Sequence, residues 1–202
     1  MATSPTRRTQ ADRSAATRAA LLDATIDCLI EDGYAGTTTA KVSERAGVSR
    51  GAHLHHFQTR AALVAAAVER LARRRGEELG REAAEIPPGR EGRERALDLL
   101  WASYASPLFQ AALDLWAAGR TDPELRARLV EVERMLDRQT RNLARDLFPD
   151  LADRAGFAQM LEMAVSTIRG LALLDTINPG EGRNADQWPF ARAVLAARFE
   201  RL

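Results

Sequence analysis

Residues 38–57, TTAKVSERAGVSRGAHLHHF, constrain the fold of this chain more than any other stretch. Thr38 is placed to cap a short helix reaching about residue 45, and Ser49 to cap a second reaching about residue 56. A side-chain oxygen at such a position accepts from the free amides of the first helical turn. Ala46, Gly47 and Val48 form the turn between them, and Gly47 can take the positive φ that strains residues carrying a Cβ. Val42, Ala46, Val48 and Phe57 can plug the small core between the two helices. Two short helices joined by a tight turn with glycine make a helix-turn-helix. The second helix exposes Arg50, Ala52, Leu54 and His55 and has little with which to bury itself, which suits a helix that faces a partner. An α-helix fits the major groove of B-form DNA, where each base pair shows a distinct donor and acceptor pattern.

The remaining chain also reads as helix, and no strand signal or internal repeat is found. A helix is expected over residues 15–32, capped by Ser14 and stopped by Gly33, with Ala15, Ala19, Leu22, Ile26, Leu29 and Ile30 on one stripe. Thr59 is expected to cap a longer helix over residues 60–84 that turns Leu63, Ala67, Val68 and Leu71 to one face. Residues 86–92, IPPGREG, are the clearest break. Beyond it five helical segments are expected, over residues 93–104, 107–119, from 122 to about 147, 155–177 and 185–202. Asp122 followed by Pro123 is a helix-start signal. The expected fold class is all-α. Residues 1–14 form a flexible basic arm, 15–75 a helix-turn-helix head, and 76–202 a larger helical body.

Several function classes drop out. Cys28 is the only cysteine, so neither an internal disulfide nor a multi-cysteine zinc site can form. No stretch reads as a membrane span, and no apolar region follows the polar N-terminus as in a secretory signal, so the cytoplasm is the expected compartment. No nucleophile–base pair, glycine-rich phosphate loop or metal-ligand set is found. The chain is therefore read as non-enzymatic, with no catalytic residue, cofactor or metal. His53, His55 and His56 cluster, but adjacent helical residues point about 100° apart and no carboxylate or cysteine completes a shell. Cys28 reads as a small buried residue, and Arg73, Arg74 and Arg75 as a solvated face.

The formal net charge is only +1, so the basic footprint of a nucleic-acid binder must be local. Arg7, Arg8, Arg13 and Arg18 supply one, opposed early on only by Asp12, and the arm could follow a minor groove or be a plain tail. Thr37 and Thr38 offer hydroxyls and amides at a helix N-terminus, a natural anion site, with Lys41, His56 and Arg60 near in sequence. Such phosphate contacts position a protein, while the exposed face of the reading helix specifies sequence. In the body, Trp101, Tyr104, Phe109, Trp116, Met135, Met160 and Met163 are the bulky residues, and each could serve core packing or line an apolar pocket. Asp114 and Arg169 lie on otherwise apolar stretches and are candidate polar anchors.

Residues 33–38, GYAGTT, then 46–51, AGVSRG, then 55–57, HHF, with 60–63, RAAL, resemble the DNA-binding head of the TetR family of regulators over residues 17–71. The resemblance implies an all-helical homodimer of about nine helices per chain, a head of three helices, and a fourth linking it to a body with an effector pocket. It further implies that the last two long helices, over about residues 155–202, pair with their copies. Base contacts are implied at Arg50, Gly51, Ala52, Leu54 and His55, and phosphate contacts at Thr38, Ser49, His56 and Arg60. The implied partners are a double-stranded DNA operator and a small-molecule effector, bound with Trp101, Tyr104, Phe109, Asp114, Trp116, Met135 and Met163 as candidates. The implied activity is that of a repressor released by its effector. Two positions depart from the family pattern. His53 stands where an apolar residue is usual and shares its inward side with Phe57, which favours packing over DNA contact. Leu54 stands where tyrosine is frequent; it can touch a thymine methyl but offers phosphate no hydroxyl.

Overall fold

The computed structural model describes residues 9–87, 89–177 and 183–202. Among the described residues there are nine α-helices and no strand. They are α1 (Gln10–Gly36), α2 (Thr39–Arg45), α3 (Arg50–His56), α4 (Arg60–Ala83), α5 (Arg90–Tyr104), α6 (Pro107–Gly119), α7 (Pro123–Leu147), α8 (Phe157–Ile177) and α9 (Arg183–Phe199). Most of the expected N-terminal arm, with Arg7 and Arg8, and Pro88 of the expected break lie outside the described residues.

Helix α1 begins earlier than residue 15. Thr9 caps it, not Ser14: the Thr9 hydroxyl accepts from the Asp12 amide at 3.1 Å, and the Asp12 carboxylate accepts from the Thr9 amide at 2.9 Å. This reciprocal pair satisfies two otherwise free donors, and the Thr9 amide bond holds the Asp12 carboxyl below its ordinary range. Leu22, Ile26 and Leu29 are buried as the stripe predicts, whereas Ala15 and Ile30 are exposed. Leu21, Thr25 and Cys28 are buried in addition, and Thr25 meets its buried hydroxyl's need by donating to the Leu21 carbonyl at 2.7 Å. Burial pushes the Cys28 thiol up, so it stays a protonated packing residue. At Gly33 the helix breaks with φ 65 and ψ −176. The positive φ was expected; the extended ψ was not, and it turns the chain sharply instead of closing a left-handed cap.

The chain divides into two compact units. One holds the residues up to Leu71 together with Asp114–Val130; the other holds Ala72–Leu113 and Glu131–Leu202. By sequence alone, residues 114–130 are expected wholly in the body. In the structure the end of α6 and the first turns of α7 belong with the N-terminal helices, and Leu125 and Leu129 are buried there. Within this unit Thr59 donates to the Glu124 carboxylate at 2.7 Å. Its core gathers Leu21, Leu22, Ile26 and Cys28 of α1 with Val42, Phe57, Leu63 and Ala67.

The second unit packs α5, α8 and α9 around an aromatic centre. Phe148 stacks on Phe199 at 5.5 Å and meets Phe157 edge-on at 6.4 Å. Trp101 stacks on Trp188 at 5.0 Å, and the Trp188 indole donates to Asp98 at 2.8 Å. Helix α8 revises one expectation. Its stretch Phe157–Thr176 is long and apolar enough, by length and composition, to cross a membrane. One face of that stretch packs inward: Phe157, Leu161, Ala164 and Ile168 are buried in the core. The opposite side leaves Met163, Leu173 and Leu174 exposed.

Candidate nucleic-acid interface

The short helices form where their caps dictate. The Thr38 hydroxyl accepts from the Lys41 amide at 3.2 Å and starts α2; the Ser49 hydroxyl accepts from the Ala52 amide at 3.3 Å and starts α3. Gly47 takes φ 63 in the turn between them, and the Val48 amide closes that turn on the Ser43 carbonyl at 2.9 Å. Val42 is fully buried and Phe57 nearly so, and Ala46 and Val48 pack against the same core. The inward side of α3 is His53, only 2% exposed, with Nδ1 bonded to the Ser43 hydroxyl at 2.7 Å. His53 is thus a packed residue, as its spacing from Phe57 suggested. Burial holds its imidazolium below the ordinary range, with His56 adding to the shift.

The outward side of α3 carries Arg50, Gly51, Leu54 and His55, all exposed, with Ala52 half-buried beside them. Leu54 leaves 50% of its surface in solvent, an unusual exposure for an apolar residue on so short a helix. Thr38 and Ser49 lie exposed at the N-termini of α2 and α3. His56 is half-buried at the other end of α3, its ring edge-on to His55 at 5.3 Å. Burial, helped by His55 and Arg18, lowers its pKa, so at neutral pH it offers hydrogen bonds and no full charge. Lys41 is accessible but paired with Asp32 at 2.7 Å, which raises its pKa and keeps it charged.

Two sequence expectations fail here. Thr37 is 1% exposed and donates its hydroxyl to the Gly33 carbonyl at 2.8 Å, while its amide goes to the Tyr34 carbonyl at 3.2 Å. It caps the end of α1 and has nothing left for a phosphate. Arg60 lies with its guanidinium 3.9 Å from the centre of the Tyr34 ring and donates to the Tyr34 carbonyl, so it clamps the last turn of α1, beyond the Gly33 break. The sequence reading also missed the partners that hold this surface: Ser43 behind His53, and Asp32 and Glu31 of α1, which pair with Lys41 and Arg45 of α2. Periodicity along one helix carries no signal for a pair between two helices.

Comparison with known proteins gives this geometry its context. The sequence pattern of the family described as bacterial regulatory proteins, tetR family, matches residues 21–67, which span the buried part of α1, the helix-turn-helix and the start of α4. An HTH-type transcriptional regulator of Mycobacterium tuberculosis is 32% identical over 195 residues, covering 94% of this chain and 98% of that one. The chain belongs to the TetR family. The HTH-type transcriptional regulator CymR of Pseudomonas putida is 33% identical over 175 residues, 84% of each chain. A solved TetR-family transcriptional regulator from Mesorhizobium loti shares the fold, with a TM-score of 0.73 at 17% identity over 93% of this chain and 96% of its own. The family is one of transcription regulators, not of enzymes.

The seven residues expected to bind an effector do not gather at one pocket. Asp114 and Trp116 belong to the N-terminal unit, where Asp114 lies against Gly33. In the body, Trp101 is spent on Trp188, and Met163 is 49% exposed on the outside of α8. Met135 is half-buried on α7. Tyr104 and Phe109 do meet, edge-on at 5.1 Å. Arg169 joins them: its guanidinium sits 5.3 Å from the Tyr104 ring centre, donates to the Tyr104 hydroxyl at 3.2 Å and lies 3.5 Å from Glu133. Burial pushes the Tyr104 phenol up. A separate apolar cavity of about 40 Å³ is lined by Leu97, Leu100, Leu143, Phe148 and Leu161 among others, and by none of the seven. That volume suits a water, far short of the roughly 150 Å³ that takes a benzene ring.

Proposed function

We propose that this TetR-family regulator is a ligand-responsive repressor that binds a near-palindromic operator as a homodimer in the cytoplasm. The observation that carries the reading is α3 itself. It is capped by Ser49, locked inward by His53 and Phe57, and turns Arg50, Gly51, Leu54 and His55 to solvent. These, with Ala52, are the base-reading set; Thr38, Lys41, Ser49 and His56 are the phosphate-positioning set. Thr37 is left out of both because its hydroxyl and amide are already bonded, and Arg60 because its guanidinium is held against Tyr34.

Self-association through α8 and α9 is supported by apolar side chains left in solvent there, among them Leu174, Val194 and Phe190, the last 75% exposed. A contiguous exposed apolar patch marks an interaction site. A two-fold dimer reads two half-sites separated by whole helical turns. The effector is a largely apolar small molecule that enlarges the apolar cavity lined by Leu97, Leu100, Leu143 and Leu161. It favours the DNA-incompetent arrangement by binding it more tightly.

The reading is tested by salt dependence. Binding of the purified protein to mixed-sequence DNA is expected to weaken linearly on a logarithmic scale as salt rises, with a slope of roughly 0.9 per phosphate neutralised. An affinity indifferent to salt contradicts a DNA-binding head.

A further inference from the structure

Ser43 has one hydroxyl proton and two neighbours. Its oxygen lies 2.8 Å from the Thr39 carbonyl oxygen, which can only accept, and 2.7 Å from His53 Nδ1. The hydroxyl proton therefore goes to Thr39, and the bond to His53 requires a proton on Nδ1, donated to Ser43 Oγ. The neutral tautomer that remains has a bare Nε2, which is buried and has no hydrogen-bond partner. A relay from the His53 ring through the Ser43 hydroxyl to the Thr39 carbonyl thus ties α3 to α2.

We propose that His53 is a positioning residue whose neutral form docks the reading helix against α2, and that its protonation undocks that helix. The functional consequence rests on the reading of α3 as the DNA-facing helix. Protonation creates an Nε2–H with no acceptor and a charge in a buried site, and both penalise the docked state.

No hydrogen-bonded carboxylate offsets that penalty. On α2, Lys41 and Arg45 are paired with Asp32 and Glu31 of α1, which leaves Glu44 exposed. Helix α1 also carries Arg18, over the Phe57 ring, with Asp27 and with Asp23, which binds Arg70 of α4. Helix α4 adds Arg60, held by Tyr34, and Glu69. On α3 itself stand Arg50, His55 and His56. Because the folded state binds the proton less well than the unfolded chain, docking is complete above the unfolded histidine pKa, about 6.5, and is lost as pH falls toward the folded value.

The test is hydrogen exchange of the α3 amides in the full chain, corrected for intrinsic exchange, in wild type and His53→Leu. Leucine keeps the position apolar and buried. Between about pH 7.5 and about pH 5.5 the opening of α3 is expected to rise in wild type by up to about tenfold relative to the variant, since the lower pH is one unit below the reference pKa. An identical pH response in the two proteins overturns the proposal. Histidine ¹⁵N spectra of the wild type near neutral pH give an independent reading: a protonated Nδ1 and a bare Nε2 are expected, and the opposite tautomer overturns the relay. Neither measurement uses DNA, so its failure falls on His53 alone, whereas salt-indifferent DNA binding falls on the function.

Discussion

The Arg60 guanidinium covers the ring of Tyr34, 3.9 Å from its centre, and donates to the Tyr34 carbonyl. One side chain thereby fixes the start of α4 to the last turn of α1. Arg60→Ala is expected to lower stability by about 1–2 kcal/mol, the size of a partly desolvated cation–π contact with its hydrogen bond. Denaturant unfolding measures the loss. The salt slope of DNA binding should stay as in wild type; a slope reduced by about one phosphate would return Arg60 to the DNA surface.

Gly33 combines φ 65 with ψ −176, a region that is essentially closed to residues with a Cβ. A Cβ there would also come within 2.6 Å of Asp114 Oδ2. Gly33→Ala should cost roughly 1–3 kcal/mol, nearly all of it backbone strain. Asp114 is exposed and its carboxylate can swing aside. Thermal unfolding of Gly33→Ala combined with Asp114→Ala should recover only a small part; full recovery would mean that the clash dominates.

Thr37 and Thr38 are neighbours with opposite fates. Thr37→Val removes a buried hydroxyl bond and should cost about 1 kcal/mol of stability while leaving DNA affinity intact. Thr38→Ala removes the α2 cap at a similar cost, about 1 kcal/mol, and should weaken DNA binding as well. Paired unfolding and binding titrations separate the two. Equal losses of affinity would put both hydroxyls on DNA.

The exposed apolar side of α8 and α9 should close on a second copy. Leu174→Glu with Phe190→Glu is expected to shift sedimentation from dimer to monomer and to weaken binding to a two-fold site. A wild-type protein that sediments as a monomer, or a variant that remains dimeric, would move the interface elsewhere.

Much of the head was legible because its signals are local. Thr38, Gly47 and Ser49 act within one turn of themselves, and the spacing of His53 to Phe57 is set by one helix. The early start of α1 is missed by a reading that takes Ser14 as the cap, although Thr9 and Asp12 stand three apart as in a capping box. The Thr37 bond, back to Gly33 in the same helix, is local and competed with the cap reading. The Arg60 clamp and the Lys41–Asp32 pair could not be read, because each depends on the angle between two helices. The same holds for the body, where bulk alone suggested Trp101 and Met163 as pocket residues. Their actual environments, a stacked partner and open solvent, follow from which helices meet.

The central claim is that α3 reads operator sequence, and selection of bound duplexes from a random DNA library tests it most directly. The wild type is expected to enrich a two-fold symmetric motif. The Arg50→Ala/His55→Ala variant should enrich none, since loss of a bidentate arginine contact alone costs roughly 1–3 kcal/mol. Failure of the wild type to enrich any motif at low salt, or the same motif from the double variant, would contradict the account.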